Sequence, residues 1–231
     1  MGLQQQDDRH QPVGAHPTRI FPETGQEMAG SGLHALPMTT TDHRSALHRS
    51  YEHAATIVAG VRPEQLGLPT PCPDYDVAAL VDHLVGAGHR AVALAGGGAP
   101  GGDEFPHVEL AEAVEQLRAA GKESASAWAD DAALERTVTM PWGETYTGRT
   151  LVDMYLGELA AHTWDLARAT GQLDRIDGSL GTPALEAARS MLKPEYRNVG
   201  GPGNPFGAEV PAPEGATDYE RFVAFTGRDP R

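Results

Sequence analysis

The strongest constraint on this chain's fold is a helical period that returns four times along it. In "TTTDHRSALHRSYEHAATIVAGV" the residues Leu47, Tyr51, Ala54, Val58 and Val61 share one face, and Thr39 to Thr41 offer N-caps. From Asp76, a fitting N-cap, "VAALVDHLVGAGHRAVALA" sets Val77, Leu80, Leu84, Ala87, Ala91 and Ala95 on a second stripe, with Gly86 and Gly88 permitting close packing. A third stretch, with Pro106 read as a first-turn proline, carries Leu110, Val114, Leu117 and Trp128. The fourth runs from an imperfect capping box, Thr150 with Asp153, to a stop before Gly171. Thr182 and Pro183 open a shorter helix, and "GATDYERFVAFTGRDP" holds another. Between the third and fourth helices, β-branched residues flank Pro-Trp-Gly in "RTVTMPWGETYTG", which predicts a short hairpin or extended insertion. The expected fold is all-α: a four-helix bundle with a long crossover, its ligand sites built from side chains facing inward.

Residues 1–37, rich in Gln, Gly, Pro and His and without either period, read as a disordered extension ahead of a natural start at Met38. The single domain is then 38–231. A net charge of −14 argues against nucleic acid and anionic membrane as main partners, because both reward clustered Lys and Arg. The expected partners are small molecules, and the chain is expected to be a monomer or homodimer. No apolar run approaches about 18 residues, so no membrane span is expected. The polar start "MGLQQQDDRHQPVG" lacks the apolar region of a secretory signal, which makes the cytoplasm the expected location. Cys72, the single cysteine, can form no intramolecular disulfide. It has no basic neighbour in sequence and reads as structural.

In "GELAAHTWDLARATGQ" Glu158 and His162 stand four residues apart, on the stripe that also carries Leu151, Met154, Tyr155, Asp165 and Ala169. A carboxylate buried among Leu, Met and Tyr is costly unless it is paired or metal-bound. A buried Glu–His hydrogen bond satisfies that requirement. So does a metal, for which His83 of the second helix is the candidate third ligand, His89 being less well placed. Two imidazoles and a carboxylate match catalytic zinc, whose fourth position is left to water or substrate. Asp165, three residues beyond His162, is placed to orient it, a bond elsewhere being the equal alternative for an Asp inside a helix. Trp142 and Trp164 read as packing residues, and Gly96 to Gly102, lacking a preceding strand, as a loop.

"PTPCPDYDVAALVDHLVG", "GELAAHTWDLARATGQ" and "FTGRDP", taken together, resemble the mycothiol-dependent maleylpyruvate isomerase N-terminal domain family of the DinB-like metal-binding superfamily. The resemblance spans roughly 42–230 and implies a four-helix bundle in which His83, Glu158 and His162 hold a divalent metal, usually zinc. It also implies mycothiol as co-substrate, bound to the metal as thiolate and attacking an electrophilic carbon in an isomerase or a transferase. Arg228 matches a recurrent family position and is a candidate catalytic clamp for a carboxylate; a salt-bridged C-terminal Arg is the equal alternative. Tyr155 is the second catalytic candidate, placed with Met154 to exclude water. The segment after Thr170 is too short for the second domain of the isomerase proper, so substrate identity does not transfer. Three readings remain: a zinc-dependent thiol transferase or isomerase, a metal-dependent hydrolase or lyase using zinc-bound water, and a non-catalytic ligand-binding bundle. The intact ligand trio disfavours the last, and a thiol requirement discriminates between the first two.

Overall fold

The computed structural model describes residues 41–98, 105–140, 143–194, 197 and 206–231. The extension 1–37, the caps at Thr39 and Thr40, most of the glycine-rich loop and Trp142 lie outside these. In chain order the elements are α1 (Arg44–Val58), α2 (Val77–Ala95), α3 (Leu110–Ala127), α4 (Asp131–Glu135), β1 (Thr137–Thr139), β2 (Thr145–Thr147), α5 (Gly148–Thr170), α6 (Gly181–Met191) and α7 (Asp218–Phe225). Helices α1, α2, α3 and α5 form the four-helix bundle. Helices α1 and α2 each pack on both α3 and α5, so α1 and α2 occupy opposite corners, as do α3 and α5. Two links therefore run diagonally: residues 59–76, and the α3–α5 connection that holds α4 and the hairpin. The hairpin is antiparallel, with Thr137 opposite Thr147, Val138 opposite Tyr146 and Thr139 opposite Thr145.

Several helix starts differ from the sequence expectation, each for a local reason. Helix α5 begins one turn early, because the Thr147 hydroxyl accepts from the Thr150 amide; Thr150 thus lies inside the helix that it was expected to open. Helix α3 starts at Leu110, after Pro106 and an extended Glu109. Helix α1 has no side-chain N-cap; instead His43 reaches Asp153 of α5 at 2.7 Å, which ties the start of α1 to the helix carrying the candidate ligands. The stop of α5 is as expected, since Gly171 takes the left-handed conformation (φ 73°) that ends the helix at low steric cost.

Helix α5 is buried around most of its circumference, because α6 and α7 close its outer side. Tyr219 of α7 donates to the Ala160 carbonyl of α5 at 2.9 Å, and Phe222 is fully buried beside it. Helix α2 corrects the expectation of no apolar run: an 18-residue window of Val77–Ala95 reaches a mean hydropathy of 1.2, enough by length and composition for a membrane span. Val, Leu and Ala outweigh the interruptions at Asp82 and Arg90, and 56% of the window is buried within the bundle.

Gly157 lies mid-helix in α5, where an added Cβ meets nothing within 4 Å. Gly157→Ala is therefore expected to stabilise the fold by about 1 kcal/mol and to raise Tm by roughly 2 to 4 °C. A thermal melt checks this, and a fall in Tm contradicts it.

Candidate metal centre

Helix geometry places Glu158 and His162 on one face of α5, and the packing of α2 against α5 brings His83 to the same depth. The three donor atoms lie within 4.8 Å of one another, and all three residues are buried. His83 Nε2 is 2.7 Å from Glu158 Oε1, and His162 Nε2 is 3.6 Å from the same oxygen. The remaining nitrogen of each imidazole is anchored. His162 Nδ1 meets Asp165 Oδ2 at 3.1 Å, and His83 Nδ1 meets the Tyr75 hydroxyl at 3.1 Å.

A carboxylate accepts only, so the His162 nitrogen beside Asp165 carries the proton and Nε2 is left as a lone pair facing Glu158. That lone pair and a carboxylate oxygen repel unless the imidazole is protonated or a cation lies between them. Oxygen partners on the far nitrogens are the arrangement that orients imidazoles toward a metal, and this donor set fits a divalent ion. Burial pushes His83 below the ordinary imidazole range, against the pull of Glu158, and so favours the neutral form that ligates. Burial alone would raise the Glu158 carboxyl, but the fields of His162 and His83 hold it well below the usual carboxylate range.

Asp165 is itself held from the far side. Arg228 donates to it through Nε and Nη2, each at 2.8 Å, with both side chains buried. The structure thus gives Arg228 a positioning place in the chain Arg228–Asp165–His162; of the two alternatives for this residue, the salt bridge is the one seen, since a guanidinium fork occupied by Asp165 is not presented to a substrate carboxylate. Burial opposes the Asp165 charge, but Arg228 and His162 outweigh it and keep the carboxyl ionised.

Tyr75 was missed as a functional residue in the sequence, although it lies inside the "PTPCPDYD" motif, immediately before the Asp76 cap of α2. The Thr70 hydroxyl is within hydrogen-bonding distance of the Cys72 carbonyl and the Tyr75 carbonyl, at 2.9 and 2.8 Å, and folds this loop over the site. The Tyr75 ring stacks on His83 (centroids 4.7 Å apart) and meets His162 edge-on at 6.1 Å. Cys72 is buried in the same loop, and burial pushes its thiol up to about 12, so it is protonated and structural. His89 is exposed beside Gln116, away from the trio. A cavity of about 30 Å³ between α5, α6 and α7 reaches Glu158, walled by Met154, Gly157, Met191, Phe206 and Phe222.

The model of the mycothiol maleylpyruvate isomerase N-terminal domain, a DinB-like family, matches residues 47–167, more than half of the chain. The chain belongs to this family. The match takes in all three members of the trio, Tyr75 and Asp165, whereas α6, α7 and Arg228 lie beyond it. Among relatives of this family member are the uncharacterized proteins Rv0738 and MT0763 of Mycobacterium tuberculosis, from strains H37Rv and CDC 1551 / Oshkosh. Each is 32% identical over 195 residues, which is 82% of this chain and 100% of the relative. No solved structure matches the chain at a significant level.

Proposed function

We propose that this protein is a zinc-dependent enzyme that uses a low-molecular-weight thiol, mycothiol by family membership, against a small electrophile, as a thiol transferase or a cis–trans isomerase. The observation that carries this reading is the convergence of His83, Glu158 and His162, with each outer imidazole nitrogen anchored on an oxygen, in a chain of a mycothiol-related family. A divalent ion held by the trio supplies Lewis acidity that keeps a thiol deprotonated near neutral pH. The chain's own residues do the rest. Asp165 holds His162 in the ligating tautomer, Tyr75 orients the His83 ring, and Arg228 keeps Asp165 ionised. Met154 and the ring of Tyr155 line the α5 face beside Glu158 and exclude water, so a thiolate remains the favoured nucleophile.

The test is cobalt substitution followed by titration with mycothiol or a glucosaminyl-cysteine analogue. A near-ultraviolet thiolate-to-cobalt charge-transfer band is expected, together with turnover of an electrophilic test substrate that requires the thiol. Absence of the band with thiol-independent turnover transfers the site to the hydrolase or lyase reading.

A further inference from the structure

Gly157 stands in the middle of α5, where glycine weakens a helix relative to alanine. A Cβ there would meet nothing within 4 Å, so packing does not exclude a side chain. An isolated glycine inside a helix calls for another reason, and the space that it leaves supplies one. Gly157 forms part of the wall of the cavity between α5, α6 and α7, and Glu158 is the one residue that this wall and the trio have in common. At about 30 Å³ the cavity has room for roughly two water-sized groups. Its wall is mostly apolar, with Met154, Met191, Phe206 and Phe222 the largest members, and among the described residues it holds no Lys, Arg or His. The other polar groups in the wall are engaged elsewhere. Asp153 Oδ1 is 2.7 Å from His43 Nδ1, Asp153 Oδ2 accepts from the Ser190 hydroxyl at 3.2 Å, and the Thr226 hydroxyl donates to the Val223 carbonyl at 2.9 Å. A water in this space finds few hydrogen-bond partners, whereas an apolar group gains contacts on every side.

We propose that this cavity is the electrophile subsite of the centre and that it takes a small, uncharged, apolar end of the substrate. The proposal rests on the reading of the trio as the reactive centre and adds the substrate class: an electrophile with a short alkyl or alkenyl end, not one with a carboxylate at that end. A carboxylate in the cavity would lose its water, meet no cation in the wall and lie beside the carboxylate of Glu158, so it is excluded on both counts. An alkyl end gains by leaving water. Methionine at two places in the wall lets the cavity adapt to ends of different shape, because an unbranched thioether changes rotamer easily. Gly157 limits the size of the end, since a side chain there would compete for the same space.

The probes are crotonamide and the monoamide of fumarate, which share a polar amide end and differ at the other, a methyl group in one and a carboxylate in the second. Binding is read from the carbon-13 NMR signals of the Met154 and Met191 methyl groups, with Met140, outside the cavity, as the control. Crotonamide is expected to shift both signals and to bind at least about tenfold more tightly than the monoamide, in zinc-loaded and in metal-free protein alike. Gly157→Val is expected to keep the fold and the metal content and to weaken crotonamide binding by at least about tenfold. Met191→Ala widens the cavity and is expected to bind 2-hexenamide, which has a propyl end, at least about fivefold more tightly than wild type, a gain that loss of fold cannot mimic. The proposal is overturned by the absence of a preference, by a preference confined to metal-free protein (the charge of Glu158 acting alone), by unchanged crotonamide binding in Gly157→Val, or by no gain in Met191→Ala. The expected binding pattern in a protein that holds no zinc upholds the cavity as a ligand site and overturns the metal reading instead.

Discussion

Alanine at His83, Glu158 or His162 is expected to take divalent metal content from one ion per chain to below about a tenth, since each variant leaves two protein donors where catalytic zinc uses three. The three residues contribute from two helices to a space no wider than 4.8 Å, so a lost donor has no substitute among the described residues. Glu158→Gln is the control for packing: it keeps the shape of the side chain and removes the charge that offsets the cation. A graded effect is expected one step outward. Tyr75→Phe frees the outer nitrogen of His83 and should weaken affinity by about 10 to 100-fold while leaving the stoichiometry intact. Metal analysis after gel filtration, with competition against a chromophoric chelator, reads both quantities. Full stoichiometry in any two of the alanine variants would mean that the trio is a buried Glu–His hydrogen-bond cluster.

Removing the guanidinium of Arg228 is expected to have the largest effect on stability. In Arg228→Met the Asp165 carboxylate, 0% exposed, loses two hydrogen bonds and its counter-charge. Breaking a buried pair in this way costs about 3 to 5 kcal/mol, or roughly 6 to 20 °C in Tm. The pH dependence has a definite sign. Asp165 is held in the folded state well below its unfolded value, so its stabilisation is complete above the ordinary carboxylate range and is lost as pH falls toward about 2. In the variant, burial is no longer opposed by Arg228 and the carboxyl rises, so acid relieves its cost. The melting curves of wild type and variant should therefore converge below about pH 4. A drop of less than about 2 °C at neutral pH would show that the pair contributes little.

The pairing of Glu158 with His162 was legible from spacing, because the helix repeat is a local property of the backbone and puts residues four apart on one face whatever else the chain does. The helical stripes, the two short strands of the hairpin and the stop at Gly171 are likewise local properties of the chain. Helix starts were less legible: any of several Thr and Asp side chains near the end of a helix can cap it, and Thr147 took the role assigned to Thr150 only because the hairpin delivers the chain there.

The rest depends on contacts that no local pattern contains. His83 meets Glu158 because side chains of α2 and α5 interlock in one register, which the helical stripe of α2 alone does not specify. Arg228 is distant from Asp165 in sequence, and its role turned on the docking of α7 against α5. Tyr75 needed the folded Thr70 loop. Periodicity states which residues a helix buries; the packing of whole side-chain surfaces selects their partners, and that selection depends on the depth and angle at which the helices meet.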